Sequence, residues 1–265
     1  MTFLQSNMKQ NPPLTRIRSF RQAMSLIELL VVISIIGVLA GLILPAVGNV
    51  KKKAKAVQAQ KDMADIKGAI SVYQNDYSRL PASSMAAGVG SDFTYGTTNN
   101  PVTGTGTGYG TNVLNNGGGG YQQCNAELMV ILTAGTFPSY TPHASIQGNA
   151  KNPRRNPYFN AKSSAAAGAN AGPGLGTDGV MRDPWGSPYI IALDLNYDGW
   201  VSNSVYRLNG VNAFNTGLAR QGAAGTDTWA LKDSAMIFSF GPDGMFSPTT
   251  AAGTEPNKDN VLSWK

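Results

Sequence analysis

A long run of apolar residues near the N-terminus is the clearest pattern in this chain of 265 residues. Residues 29–50, LLVVISIIGVLAGLILPAVGNV, carry no charged side chain. A helix needs about 20 apolar residues to cross the hydrocarbon core of a membrane. The apolar part of a secretory signal peptide is shorter, roughly 7 to 15 residues, and leads to a small-residue cleavage site rather than to lysines. We therefore expect a membrane helix that is retained.

A second apolar pattern follows the first and has the period of an amphipathic helix. It ends at Leu80-Pro81, and its apolar positions are Ala54, Val57, Ile66, Ile70, Tyr73 and Tyr77. A helix with one apolar face packs that face on a folded domain. Pro45 lacks a backbone donor and clashes with the carbonyl of Gly41, so we also expect a kink or local melting between Gly37 and Pro45.

The remaining pattern predicts a small sheet interrupted by loops. Residues 84–120 and 161–179 are Gly-rich and without apolar period, which predicts two flexible insertions. Asn125 is expected to cap a short helix that Gly135 stops. Three apolar runs read as strands, namely residues 189–193, 205–208 and 235–240. The fold class expected is α+β, with a long N-terminal helix packed on a small antiparallel sheet.

The net charge of +6 suggests an anionic partner until the charges are located. Nine basic residues lie before position 62: four in residues 1–23, and a cluster of Lys51, Lys52, Lys53, Lys55 and Lys61. From residue 62 onward, 12 Lys and Arg face 14 Asp and Glu, so this part has a charge of −2. It lacks the basic face that phosphate binding requires, and we expect no nucleic-acid partner. The lysine cluster fits either anionic lipid headgroups or a solvated helix face.

Glu28 places a carboxylate at the edge of the apolar run. Burying such a group in lipid without a partner costs about 2.5 kcal/mol or more. A partner is therefore expected. Basic residues lie on both sides of the run, so the charge pattern alone does not set the orientation of the helix.

Residues 23–30, AMSLIELL, resemble the processing site of type IV prepilins and type II secretion pseudopilins. The resemblance implies that a prepilin peptidase cuts between Ala23 and Met24 and N-methylates Met24. Glu28 then falls five places into the mature chain, and Pro45 matches a proline of that family. The family usually has glycine before the cut, where this chain has Ala23.

The same resemblance implies how the chain is organised. Residues 1–23 are a cleaved cytoplasmic leader, residues 24–50 a transmembrane helix that forms the filament core, and residues 51–265 a periplasmic or extracellular head. The precursor is then a single-pass protein of the inner membrane. The Glu28 carboxylate can pair with the Met24 amine of an adjacent subunit and set the register of the filament. The alternative is an ordinary signal anchor in which Glu28 sits at the membrane interface.

Two motifs in the head narrow the resemblance to the major pseudopilin. Residues 182–189, RDPWGSPY, are similar to its DPWG-x-PY motif, and Pro184 and Gly186 predict a turn there. Trp185 and Tyr189 are expected to seal the sheet against the helix, although Trp185 also suits stacking on a carbohydrate. Residues 239–244, SFGPDG, and 258–264, KDNVLSW, resemble two further loops of that family.

The resemblance of these two loops implies a calcium site. Asp243, Asp259 and Asn260 offer oxygen ligands, of which Ca²⁺ takes six to eight. The alternative is a plain Asp-Gly turn. A rival site is the loop 194–199, DLNYDG, which matches half of an EF-hand loop. Its twelfth position is Val205 instead of a bidentate glutamate, so a hairpin turn between strands is favoured there.

Catalysis has little support in the sequence. His143 is the only histidine, Cys124 is the only cysteine, and no nucleophile-elbow, P-loop or zinc-protease motif is present. The resemblance to the major pseudopilin implies a structural subunit of a pseudopilus that drives protein export. It also implies that the subunit assembles as a homopolymer with minor pseudopilins, on an inner-membrane assembly platform. The alternative is a type IV pilin or a pilus-tip adhesin that binds glycans or surfaces.

Overall fold

The computed structural model describes residues 25–96, 124–164, 166–168, 171–212 and 216–265, without the side chains of 43–46 and 49. Residues 1–24 and 97–123, with most of the first predicted insertion, lie outside this range. The chain divides into two compact units, Met1–Asn49 and Val50–Lys265. Within the described residues, no helix is both long enough and apolar enough to cross a membrane.

Helix α1, Leu26–Tyr77, is the longest element of the chain. Its backbone is helical through Gly37 and Pro45, so the local melting expected there is absent. The helix ends where Ser78 takes a left-handed conformation with φ of 52°, which an L-residue adopts only singly and which stops a helix.

The second half of α1 buries one stripe of side chains. These are Ala59, Met63, Ile66, Ala69, Ile70 and Tyr73, each of which lies three or four residues from another member of the set. This spacing places them on one face of the helix. The predicted stripe was right for Ile66, Ile70 and Tyr73. It was wrong for Ala54, which is exposed, and for Val57, which is 64% exposed.

A four-stranded antiparallel sheet forms the centre of the head. Its order is β1 (Phe93–Tyr95), β4 (Ile190–Leu193), β7 (Ala235–Ser239) and β8 (Val261–Leu262). Ile191 pairs with Tyr95 on one side and with Ile237 on the other. Two small ladders accompany the sheet: β2 (Gly174–Leu175) with β3 (Met181–Arg182), and β5 (Ala219–Arg220) with β6 (Trp229–Ala230).

Both faces of this sheet are buried, which explains why β4 and β7 are continuous apolar runs. Alternate side chains point to opposite faces of a strand. Ile191 and Ile237 belong to one core cluster with Tyr73 of α1. Ile190 and Phe238 belong to a second cluster with Tyr206. The α+β class is therefore observed. The second core cluster buries the other face of the sheet, which the sequence did not predict.

Several predicted elements differ from the structure. Residues 84–95, assigned to an irregular insertion, form helix α2 (Ser84–Ala87) and strand β1. Residues 205–208, expected as a strand, form turns whose Val205 and Tyr206 side chains enter the second core. The stretch 161–179 holds β2, and it contributes Asp178 to a buried ion pair with Arg182 at 2.6 Å.

Helix α3, Ala126–Thr133, lies where a short helix was expected, but its ends differ in detail. Asn125 makes no capping bond with its side chain. Instead its amide group donates to the carbonyls of Met181 and Tyr189 and accepts from Met181 N. Ala134, with φ of 52°, ends the helix one residue before Gly135. Asn125 therefore ties α3 to the sheet.

Candidate functional sites

The N-terminal site is described from Ser25 onward, so Ala23 and Met24 lie outside the described residues. Glu28 occupies the first turn of α1, where its Oε2 accepts a hydrogen bond from Ser25 N at 2.8 Å. A carboxylate in this position satisfies one of the unpaired N–H groups that begin every helix and interacts favourably with the helix dipole. Glu28 thus has a local role as a helix cap. Sequence reasoning did not identify that role.

The first half of α1 exposes a large apolar surface. Every Leu, Ile and Val side chain between Leu26 and Leu42 is 44–81% exposed. An apolar surface of this extent marks a membrane or protein interaction site in a stable protein. The structure describes the backbone of Pro45 as helical and leaves its side chain outside the described range.

The DPWG segment is a turn organised by a buried carboxylate. Asp183 Oδ1 accepts from the backbone N–H groups of Trp185 and Ser187, both at 2.9 Å. Its Oδ2 accepts from Ser239 Oγ at 2.5 Å. Gly186 has φ of +102°, a conformation that suits glycine. Burial raises the pKa of Asp183, and the donated hydrogen bonds oppose this rise. The predicted turn is confirmed.

The two aromatic residues of this segment pack as expected of a core. Tyr189 is fully buried, and its hydroxyl donates to Asp62 Oδ2 on α1 at 3.0 Å. Burial, followed by the nearby Asp62 charge, raises the pKa of Tyr189. Trp185 is partly buried and packs on the core cluster that includes α1. Tyr189 therefore joins the sheet to the helix, and Trp185 adds to the same core.

The loop after β7 approaches the C-terminal segment very closely at Gly241. This residue has φ of +72°, and a Cβ atom placed on it would lie 2.3 Å from the carbonyl oxygen of Asp259. Its N–H donates to Ser239 Oγ at 3.0 Å. Two short 3₁₀ helices, Gly241–Asp243 and Asn257–Asp259, therefore meet with no room for a side chain.

This close approach gathers three carboxylates. Asp243, Glu255 and Asp259 each offer an oxygen atom, and these atoms lie within 4.8 Å of one another. No other group of three or more His, Cys, Asp or Glu residues in the described part of the chain is this close. Asp243 and Asp259 were predicted as metal ligands. Glu255 was not among the predicted residues, although the sequence after Asp233 contains only one acid besides Asp243 and Asp259.

The electrostatics of this acidic group favour a cation. Burial raises the pKa of Asp259, and the charges of Asp243 and Glu255 raise it further. None of the ion pairs among the described residues involves these three acids. The buried oxygens Asp259 Oδ1 and Asn260 Oδ1 have no hydrogen-bond partner in this part of the chain. Asn260 uses its amide nitrogen to bind Tyr206 Oη at 2.9 Å.

The rival loop 194–199 closes on itself. Asp194 Oδ2 accepts from Gly199 N, and Asp198 Oδ1 accepts from Trp200 N. The loop leaves β4, whose sheet partners are β1 and β7, so it is a turn but does not connect two adjacent strands of that sheet. The expected hairpin is therefore wrong. Neither Asp194 nor Asp198 belongs to a group of three or more His, Cys, Asp or Glu residues that could hold a metal ion in the described part of the chain.

Comparison with known proteins finds a family match in the N-terminal part of the chain. Residues 18–44 match the family described as the prokaryotic N-terminal methylation motif. The fimbrial protein EcpC of Eikenella corrodens is 36% identical over 73 residues, which cover 28% of this chain and 48% of that protein. The type II secretion system core protein G of Klebsiella pneumoniae is 38% identical over 61 residues, covering 23% and 44%. The chain therefore carries a prokaryotic N-terminal methylation motif, and part of it is similar to a fimbrial protein and to a secretion-system core protein.

The chain spans about half the length of the curated relatives it matches. No solved structure has significant similarity to it. One relative is a fimbrial protein and the other a secretion-system protein, so the similarity does not separate a pilus from a pseudopilus.

Proposed function

We propose that this prepilin-like protein is the filament subunit of a type II secretion pseudopilus and polymerises through α1. The observation that carries the proposal is the methylation motif over residues 18–44, which runs into a helix whose apolar side chains are exposed. Burying apolar surface yields about 25 cal/mol per Å². The twelve large apolar residues between Leu26 and Leu42 therefore strongly favour insertion of the helix into lipid before assembly. After assembly they favour packing against neighbouring helices.

The choice of a pseudopilus over a pilus rests on the head. The DPWG turn and the loop after β7, which resemble those of the major pseudopilin, are joined by the Asp183–Ser239 hydrogen bond. The similarity to core protein G supports the same choice. A type IV pilin is the alternative, and the similarity to EcpC supports it.

The location and partners follow from this proposal. The precursor crosses the inner membrane once over residues 24–50, with the basic leader in the cytoplasm and the head in the periplasm. A prepilin peptidase cuts between Ala23 and Met24, and an inner-membrane platform adds the subunit to a filament with minor pseudopilins. The head, with a charge of −2 from residue 62 onward, supports no role in nucleic-acid binding.

We also propose that Asp243, Glu255 and Asp259 hold a calcium ion, with Asn260 Oδ1 as a nearby oxygen donor. The residues fit the ion: three hard oxygen ligands lie together, none of them is in an ion pair in the described part of the chain, and two buried oxygens lack partners there. When bound, calcium would neutralise the repulsion between these acids and tie the loop after β7 to the C-terminal segment. Its role is then structural.

The proposal includes no catalytic step. Cys124, the one thiol of the chain, is fully buried, and this burial raises its pKa to about 12. A buried, protonated thiol is a poor nucleophile. His143 uses its ring Nδ1 to accept from Ser145 N at 3.2 Å and so begins a short 3₁₀ helix. Both residues have structural roles that account for their positions.

Mass spectrometry of filaments sheared from cells tests this function. The subunit should begin at N-methylated Met24. Deletion of the gene for this subunit should abolish protein export while leaving surface pili in place. A subunit that retains residues 1–23 would contradict processing as a prepilin. Loss of surface pili with normal export would show that the chain is a pilus subunit and not a pseudopilus subunit.

A further inference from the structure

The second half of α1 carries a row of apolar residues that are exposed to solvent. They recur at intervals of three, four or seven residues, and we name them the outer stripe: Val50, Ala54, Val57, Ala64, Gly68 and Val72. The three valines are 65%, 64% and 52% exposed. Because each residue of an α-helix turns the chain by about 100°, all six positions fall within a sector about 80° wide.

The outer stripe lies on the opposite side of the helix from the residues that pack on the head. The centre of the buried set, Ala59 to Tyr73, is about 160° around the helix from the centre of the stripe. In the described part of the chain, a Cβ atom placed on Gly68 would contact nothing within 4 Å outside the helix backbone. A surface helix usually carries polar residues on this side, so the exposed valines are not needed to hold α1 on the head.

Lys61 is the charged residue whose position falls within the sector, and an ion pair draws its charge to one side. Its Nζ lies 2.6 Å from Oδ2 of Asp65, which stands one turn further along the helix and outside the stripe. A lysine in this arrangement covers apolar surface with its alkyl stem while its ammonium group stays in water. The stripe can therefore remain apolar over its whole length, which is about 33 Å at 1.5 Å per residue.

The spacing and the size of these side chains identify a helix as the partner. Apolar residues at alternating intervals of three and four form the narrow seam along which two helices pack. A helix that lies on a lipid surface instead carries large side chains such as Leu, Phe and Trp on its apolar side, and the stripe contains none of these. The small residues Ala54, Ala64 and Gly68 allow a second helix to approach closely, because the distance between packed helices depends on the side chains at the contact.

We propose that the outer stripe binds residues 26–42, the apolar first half of α1, of a neighbouring copy of this chain. Among the described residues, this segment is the other long helical surface with exposed large apolar side chains. It is about 24 Å long and therefore fits within the length of the stripe. The two surfaces differ, so the contact is heterologous and can repeat from subunit to subunit into an open filament.

This inference rests on the proposed filament function, and photo-crosslinking of the full-length subunit in cells tests it. A benzophenone side chain in place of Val57 should form a covalent dimer of the subunit. Digestion and mass spectrometry should then locate the second attachment point within residues 26–42. The same group in place of Lys232, which is exposed on the head, is the control and should give no link to that segment.

Substitutions within the stripe provide a second test. Val57→Asp and Val72→Asp should each lower the recovery of sheared filaments about tenfold or more, because the contact would bury a charge without a partner. Both variants should melt at the parental temperature, since these side chains are exposed in the single subunit. Gln60→Glu is the matched control: it adds the same charge at an exposed position about 80° from the centre of the stripe and should leave recovery unchanged.

Parental filament yields from both aspartate variants would overturn the inference and leave the filament function standing. Crosslinks from position 57 to head residues or to lipid would overturn it as well. An equal loss of filaments in Gln60→Glu would show that any added charge on α1 blocks assembly, and the stripe would then have no special role. Failure of the proposed function is distinct, because the parental chain itself would then yield no filaments.

Discussion

Ser239 Oγ donates a hydrogen bond of 2.5 Å to Asp183 Oδ2, and this contact joins two motifs that are 56 residues apart in the chain. Both side chains are fully buried. The same Ser239 oxygen accepts from Gly241 N, so one hydroxyl group connects the DPWG turn to the loop that approaches Asp259. The turn and the acidic loop are therefore one structural unit.

Ser239→Ala should destabilise the head. It leaves a buried carboxylate oxygen and a buried N–H group unpaired, at a cost of about 1 to 3 kcal/mol. For a domain of this size, each kcal/mol lowers the Tm by roughly 2 to 4 °C. The matched control is Ser71→Ala on the exposed face of α1, which should change the Tm little. Equal Tm values for the two variants would show that Ser239 does not connect the loops.

Gly241→Ala should destabilise the head by more than a left-handed backbone alone explains. Gly225 provides the control, because its φ of +85° is similar and a Cβ atom there would contact nothing within 4 Å. Gly225→Ala should cost about 1 kcal/mol, the usual penalty for this conformation. Gly241→Ala adds a clash with the Asp259 carbonyl and should cost clearly more in urea unfolding. Similar costs would refute the close approach.

Calcium should raise the Tm of the full-length protein, since an ion that binds only the folded state adds about 2.7 kcal/mol at 100 times its Kd. Glu255→Gln should remove most of this gain. Without calcium, the same variant should be slightly more stable than the parent, because one of three repelling carboxylates is gone. Asp198→Ala should keep the full calcium effect. A loss of the effect in Asp198→Ala alone would move the ion to the rival loop.

Asp92 should make stability depend on pH. Burial is the main reason that its pKa rises to about 6 from 3.8, and the charges of Asp194 and Asp198 add to it against the hydrogen bonds from Ser202. The folded state then binds more protons than the unfolded state between these two values, so stability falls as pH rises through that window. Asp92→Asn should be more stable than the parent at pH about 7.5. That advantage should shrink at pH about 4, and an advantage independent of pH would contradict this origin.

The sequence predicted those parts of the fold whose signal is local. β4 and β7 were found because a strand buried on both faces is a continuous apolar run, and α3 because its apolar residues are dense. β1 was missed, since its three residues stand in a Gly- and Ser-rich context that local patterns assign to loop. Residues 205–208 were wrongly predicted as a strand. Their apolar side chains Val205 and Tyr206 pack into the second core cluster from a turn and do not belong to a strand.

The candidate sites divide in the same way. Asp243 and Asp259 were predicted through the resemblance of their loops, whereas Glu255 joins them only because Gly241 lets the two segments touch. A polar cavity beside β1, lined by Asp92 and Arg207 among others, was not predicted at all. Its wall comes from three segments that are distant in sequence, and no spacing rule connects Asp92 to Arg207.

Glu28 provides the most direct test of assembly through α1. Its carboxylate caps the helix by accepting from Ser25 N, and we propose that its charge also pairs with the Met24 amine of a neighbouring subunit. Glu28→Gln separates these roles, because the amide oxygen can still accept from Ser25 N but carries no charge. Ser34→Leu is the control for adding an apolar residue to the same helix.

The decisive measurement is the recovery of sheared filaments from Glu28→Leu and Glu28→Gln cells with parental levels of the subunit in the membrane. Both variants should insert, and both should lose most filaments, because burying an amine without its counter-charge costs roughly 3 to 5 kcal/mol. Ser34→Leu should assemble normally. Parental filament yields from both Glu28 variants would contradict charge pairing as the basis of assembly.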